Sequence, residues 1–151
     1  MAQANIELLK KLRNETSASI ADCRMALEET DNSYDKAKEW LKKRGLEKAA
    51  KKSDRETSQG IVESYIHNGA KVGVLVIILC ETDFVAKTDE FKGLAREVAM
   101  QISAMNPENV EQLLKQEYIR DSSITIEALI KTVIGKLGEN ITIREFSRLA
   151  I

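Results

Sequence analysis

The sequence predicts an α+β protein: a small three-helix N-terminal domain, then a core of antiparallel sheet packed on helices. Three observations predict it. Apolar residues recur at helical spacing three times before about residue 45; β-branched residues gather around an Asn-Gly turn beyond Gly60; and an amphipathic helical stretch from Thr88 leads toward a last alternating segment. With 151 residues, 43% hydrophobic and 31% charged, the chain suits one ordinary domain or a small domain beside a medium one, and not a disordered tail.

The first helix is read in "ANIELLKKLRNET", where Ile6, Leu9 and Leu12 share a face, Asn5 can cap and the pattern stops near Asn14. The second begins after Ser19, three residues before Asp22, and places Ile20, Cys23 and Leu27 together. In the third, Ser33 can cap, Tyr34, Ala37, Trp40 and Leu41 form the stripe, and Gly45 suits a left-handed C-terminal cap. A bundle this small needs a compact core, expected around Trp40. The predicted division is a helical domain over 1–46, a polar linker over 47–59 and an α+β core over 60–151.

In the core, "IVESYIHNGAKVGVLVIILC" predicts two antiparallel strands joined at Asn68-Gly69. The second, Lys71 to Cys80, is apolar on both faces in its last half, which predicts a central strand covered on both sides, or covered by helices and a partner chain. Phe91, Leu94, Ala95, Val98, Ala99 and Ile102 define one helical face after the cap Thr88, and Asn106-Pro107 ends that helix. Another helix carries Leu129, Val133 and Leu137, with Gly138 as its cap. Period-two alternation in "ITIREF" predicts the last strand, giving the order strand, strand, helix, helix, strand.

Charge and chemistry exclude several function classes. Net charge is -1; residues 1–60 hold 13 basic and 11 acidic residues and the remainder 10 and 13, so no global field draws the chain to nucleic acid or an anionic membrane. The basic stretch Lys42 to Arg55, broken by Glu47 and Asp54, reads as a solvated helix face rather than a phosphate or ribosome-binding patch. Cys23 and Cys80 lie in apolar patterns at no metal-clip spacing, which reads as a reduced, cytoplasmic protein. No secretory signal is expected, and the longest apolar run falls far short of the ~20 residues of a membrane span. The single histidine, His67, sits beside a hairpin turn, no carboxylate pair stands out and "GKLGEN" lacks the ending of a phosphate loop. Covalent or metal catalysis is disfavoured, and no cofactor or metal is expected.

"CETDFVAKTDEF" stands apart, since it sets Asp83 beside Phe84 where a buried strand gives way to a turn. Two accounts stay open on the residues alone. In one, Asp83 hydrogen-bonds the turn backbone and Phe84 fills the core. In the other, Phe84 protrudes from a loop held by a rigid strand before it and a helix after it.

"TDFVAK" after an apolar strand resembles a signature of the elongation factor Ts family. "LRNETSASIADCRMAL" resembles that family's N-terminal signature, and "GKLGENITIREF" the end of its core. The resemblance implies a ubiquitin-associated-like three-helix domain and an α+β core of dimerisation type. It implies a guanine-nucleotide exchange factor for elongation factor Tu, acting without covalent chemistry in protein synthesis. Thr82, Asp83, Phe84 and Val85 would then disturb the Mg²⁺ and phosphate site of that partner, while Leu12, Arg13, Thr16 and Ile20 would serve as contacts of the N-domain. The alternative is a helical adaptor that binds a protein without affecting nucleotide.

Departures from the family pattern are visible. Ser17 and Ser19 stand where glycines are usual, Ile20 where methionine is frequent and Leu79 where asparagine is usual. The region Asn106 to Leu113 is short, which reads as a minimal form lacking a duplicated core half. A single half is expected to pair with a copy of itself through the strand Lys71 to Cys80 or the last strand, giving a homodimer.

Overall fold

The computed structural model describes Ala2–Ile151. Contacts divide the chain into two compact units, one ending at Lys48 and the other running from Ala49 to Ile151.

The first unit is built on α1 (Ile6–Thr16), α2 (Ile20–Glu29) and the greater part of α3 (Tyr34–Ala50). Asn5 Oδ1 accepts from the backbone N–H groups of Glu7 and Leu8, satisfying two of the free donors at the start of α1. Ser19 caps α2 by accepting from the Asp22 N–H at 3.1 Å, and its hydroxyl donates to Asp22 Oδ2 at 2.7 Å. Leu12, Cys23, Ala26, Leu27, Ala37 and Leu41 form the core.

Three expectations fail here, for packing reasons. Trp40 is only half-buried and lies at the margin of the core with the Arg44 guanidinium 5.1 Å from its ring centroid; Leu12 and Leu27 occupy the centre instead. Ile20 is 54% exposed, because it is the first residue of α2 and Ala26 completes the buried stripe with Cys23 and Leu27. Gly45 does not end α3, which continues through residues 47–50 of the segment expected as a linker. An interior glycine costs only about 1 kcal/mol relative to alanine. Across it, Arg44 and Lys48 both reach Asp22, at 3.2 and 2.7 Å.

The second unit holds β1 (Gln59–Ile66), β2 (Val72–Cys80), the one-turn α4 (Asp83–Ala86), α5 (Asp89–Met105), α6 (Val110–Lys115), the short pair β3 (Glu117–Tyr118) and β4 (Asp121–Thr125), α7 (Ile126–Leu137) and β5 (Thr142–Ala150). The main sheet is antiparallel in the order β1-β2-β5, so β2 is central as expected. Its inner face, Val74, Val76, Ile78 and Cys80, packs in one cluster with Phe91, Leu94, Ala95, Val98, Ala99 and Ile102 of α5. Gly60 sits where a Cβ would lie 2.1 Å from the Ile78 carbonyl oxygen, so that crossing admits no side chain.

Helices cover only the inner face of β2, so of the two expected coverings the one by the chain's own elements on both sides is absent and the outer face is left for the partner-chain alternative. Register places Val62 beside Ile77, Leu75 beside Ser147, and Ile66 and Leu149 on either side of Gly73. Val62, Ile66, Leu75 and Leu149 are all more than half exposed. No element of the unit lies over them.

Elements missing from the sequence reading are short. α4, α6 and the β3–β4 pair span only four, six, two and five residues, too few for a period to register. Gln101, fully buried in α5, organises the pair: its amide donates to Gln116 Oε1 and the Glu117 carbonyl, and its oxygen accepts from Ile119 N–H. On α7, Ile126, Ile130, Val133 and Ile134 are buried while Leu129 and Leu137 are only partly so. In β5 a bulge at Ile77/Ile78 of its neighbour puts both Ile143 and Phe146 inward, which breaks strict alternation.

Two predictions concern the first unit, which contains the chain's single tryptophan as a reporter. Ser17, the C-cap of α1, is held at φ 55°, a left-handed conformation that costs a residue with a Cβ. Ser17→Gly should raise stability by up to about 1 kcal/mol, read by Trp40 fluorescence during thermal unfolding. Burial pushes the Asp22 carboxyl upward, but hydrogen bonds from Lys48 and Ser19, the Lys48 charge and Arg44 outweigh it, so its pKa is lowered. A depressed acid stabilises above its unfolded pKa of about 3.9, and that contribution disappears as pH falls through the folded value. Asp22→Asn should therefore cost about 1 kcal/mol at pH 7, and the gap to wild type should close below roughly pH 4.

Candidate partner-binding site

The segment after β2 is built from reused hydroxyls. Thr82 is extended, with φ -126° and ψ 156°, and its Oγ1 accepts from the Val85 N–H at 3.4 Å as the N-cap of α4. Thr88 Oγ1 donates to the Val85 carbonyl at 2.7 Å and accepts from the Phe91 N–H at 3.2 Å, closing one helix and opening the next. One turn of helix is thus joined without slack to a strand and to a 17-residue helix.

Packing then sorts the four side chains of α4. Ala86 is buried and Val85 packs partly against the core, while Asp83 and Phe84 face solvent. Phe84 is 82% exposed. Of the two accounts left open by the sequence, core filling is excluded; the buried aromatic here is Phe91, on the inner face of the following helix, at 0%. Asp83 is held by Lys87 Nζ at 3.0 Å, and that hydrogen bond, with the charge of Lys87, keeps its carboxyl below the usual carboxylate range.

A second segment, the loop after α7, clasps the first. Glu139 Oε1 accepts from the Thr82 N–H at 2.9 Å and Glu139 Oε2 accepts from the Thr82 hydroxyl at 2.7 Å. In the opposite sense, Glu81 Oε1 accepts from the Asn140 N–H at 2.7 Å. Asn140 is 4% exposed, and its side-chain amide donates to the carbonyls of Ser53 and Arg55. Sequence reasoning did not single out Glu81, Glu139 or Asn140. The available signal was the polar triplet Gly138-Glu139-Asn140 between a helix and a β-branched strand.

In the first unit the four expected contact residues separate. Leu12 is fully buried and serves the helical core, so it is not a surface contact. Arg13 is exposed, Thr16 turns its hydroxyl to the Leu12 carbonyl at 2.7 Å, and Ile20 with Met25 borders a shallow depression lined also by Ala21, Arg24 and Glu28. Ser17 and Ser19 take up the two cap positions of the α1–α2 turn. Cys80 and Cys23 are both buried and free, and burial raises both thiols. Among the described residues no cluster of three His, Cys, Asp or Glu side chains could hold a metal ion, and no helix is long and apolar enough to cross a membrane.

Two family profiles match: "Elongation factor Ts, mitochondrial, N-terminal" over residues 1–51 and "Elongation factor TS" over residues 81–151. An elongation factor Ts of Nostoc sp. is 44% identical over all of this chain, which spans 48% of that relative. One from Rippkaea orientalis is 39% identical with 79% of its length covered, and one from Desulfosudis oleivorans 38% identical with 99% covered. Those two alignments run over 197 and 196 positions against 151 residues here, so these relatives carry internal residues without a counterpart in this chain. Matched at both ends and similar along its whole length, the chain belongs to the elongation factor Ts family of translation elongation factors.

Proposed function

We propose that this chain is a guanine-nucleotide exchange factor whose partner is elongation factor Tu. The observation that carries the reading is the exposed Phe84 ring on a turn clamped at both ends. Leaving a phenylalanine in water forgoes roughly 1.5–3 kcal/mol of burial, and partner contacts of this kind recover such a loss in a complex. Asp83 and Phe84 press into the GTPase beside its Mg²⁺ and phosphate site, with Thr82 and Val85 holding the turn. Arg13, Thr16 and Ile20 supply a second contact from the helical unit.

The action is non-covalent and needs no nucleophile, cofactor or metal of the chain's own. Mg²⁺ bridges the nucleotide phosphates to the GTPase and offsets their mutual repulsion, so disturbing its surroundings weakens GDP retention. The factor binds the nucleotide-free state more tightly than the GDP-bound state, and GDP weakens factor binding by the same ratio. Such a protein works in the cytoplasm and contacts no nucleic acid directly. Three cations of the basic stretch are already engaged by carboxylates, Arg44 and Lys48 by Asp22 and Arg55 by Glu81.

The uncovered outer face of the main sheet supports homodimerisation as part of this reading. Val62, Ile66, Leu75 and Leu149 form an apolar surface on three adjacent strands, and Ser64, Glu145 and Ser147 are interspersed among them. Exposed apolar surface of this kind marks an interaction site, and a second copy offers the same face under two-fold symmetry.

Two outcomes follow. Phe84→Ala should slow GDP release from elongation factor Tu by roughly 30-fold, as expected for a hot-spot aromatic, while unfolding shifts by no more than about 0.5 kcal/mol. Stopped-flow release of a fluorescent GDP measures the first and thermal denaturation the second; binding without any acceleration by the wild type would favour the adaptor. Light scattering at micromolar concentration should give twice the chain mass, and Leu75→Lys should return it to the monomer value.

A further inference from the structure

We infer that Glu139 is the positioning residue for Asp83 and Phe84, an inference that rests on the exchange-factor reading. Helix α4 has only four residues, and a single turn does not hold its own shape. Something outside it must fix the direction in which Phe84 leaves the backbone.

Thr82 is that fixed point, and its polar groups show how. Its carbonyl accepts from the Ala86 N–H at 3.3 Å and the Cys80 thiol at 3.1 Å, both within the local segment. Its N–H and hydroxyl both go to one carboxylate, that of Glu139, 57 residues further along the chain. Two donors on one residue meeting two oxygens of one planar group fix rotation as well as distance. Because the hydroxyl proton is directed to Glu139, an Oγ1 lone pair faces the Val85 N–H and the cap of α4 forms. Glu139 therefore sets the first turn that carries Phe84, without lying in that turn. Glu81 has a different task, since its Oε1 receives the Asn140 N–H and lies 3.6 Å from Arg55.

The test measures GDP release from elongation factor Tu, with Glu139→Ala, Glu139→Gln and Glu139→Asp in the full chain. Glu139→Ala should lower the acceleration roughly tenfold, the scale of a small misplacement at a working contact, and raise ps–ns mobility of the Phe84 amide in ¹⁵N relaxation of the free protein. Glu139→Gln should recover most of the rate, since its amide can accept from the Thr82 N–H and donate to Oγ1. Should Glu139→Ala not fold, Glu139→Asp keeps the charge but falls short of spanning both donors, and a slowed rate is expected there too. In a Phe84→Ala background Glu139→Ala should lose most of its effect, whereas a loss of general integrity would persist undiminished.

A wild-type rate and unchanged Phe84 mobility in the Ala and Asp variants would overturn the role of Glu139 alone, as would failure of Glu139→Gln to rescue or an undiminished effect without Phe84. A wild-type chain that does not accelerate GDP release would overturn the exchange-factor reading and this inference with it.

Discussion

The packing of β2 against α5 is the constraint on which the turn carrying Asp83 and Phe84 depends. Val76, Ile78 and Cys80 on the strand and Phe91, Leu94 and Ala95 on the helix are all buried in one cluster, so the two ends of segment 81–88 are fixed by the core. Interiors packed to crystal-like density do not let such ends drift. What lies between them can vary only locally, and the two threonine caps and the Glu139 clasp use up that remaining freedom.

An exposed aromatic on such a frame differs from an exposed aromatic on a loose loop. Association already costs translational and rotational freedom, and each side chain or loop ordered on binding adds to that cost. Here Val85 and Ala86 anchor the inner side of α4, so the backbone beneath Phe84 is ordered before any partner arrives. Asp83 is restrained only by its exposed pairing with Lys87, a contact of small worth in water. That carboxylate stays available to a new partner.

The elements that the sequence revealed were those whose pattern is long or chemically marked. Helix α5 repeats its apolar face over 17 residues and carries a threonine cap, and the strand pair flanks an Asn-Gly turn, so local physics and tertiary packing agree. Misreadings arose where packing chose between equivalent local options. Trp40 and Ile20 fit their stripes yet lie at the margins of a core filled by Leu12, Ala26 and Leu27. The bulge in β5 changed the inward set, and nothing in "ITIREF" marks it. At the candidate site the Asp-Phe pair was visible, whereas Glu139 was not, because its role depends on a pairing across 57 residues that a linear pattern does not encode.

On the proposed exchange-factor reading, rigidity at Phe84 matters because such a factor acts only through the difference in its affinity for two states of its partner. A ring on a mobile turn adapts to both the GDP-bound and the nucleotide-free surface, which raises both affinities and separates them little. A ring held in one direction fits one arrangement of the partner and clashes with the other, so its contact energy becomes discrimination. On that reading the carboxylate that clamps Thr82 bears on how strongly bound factor and bound GDP oppose each other, as well as on how stably the turn is folded.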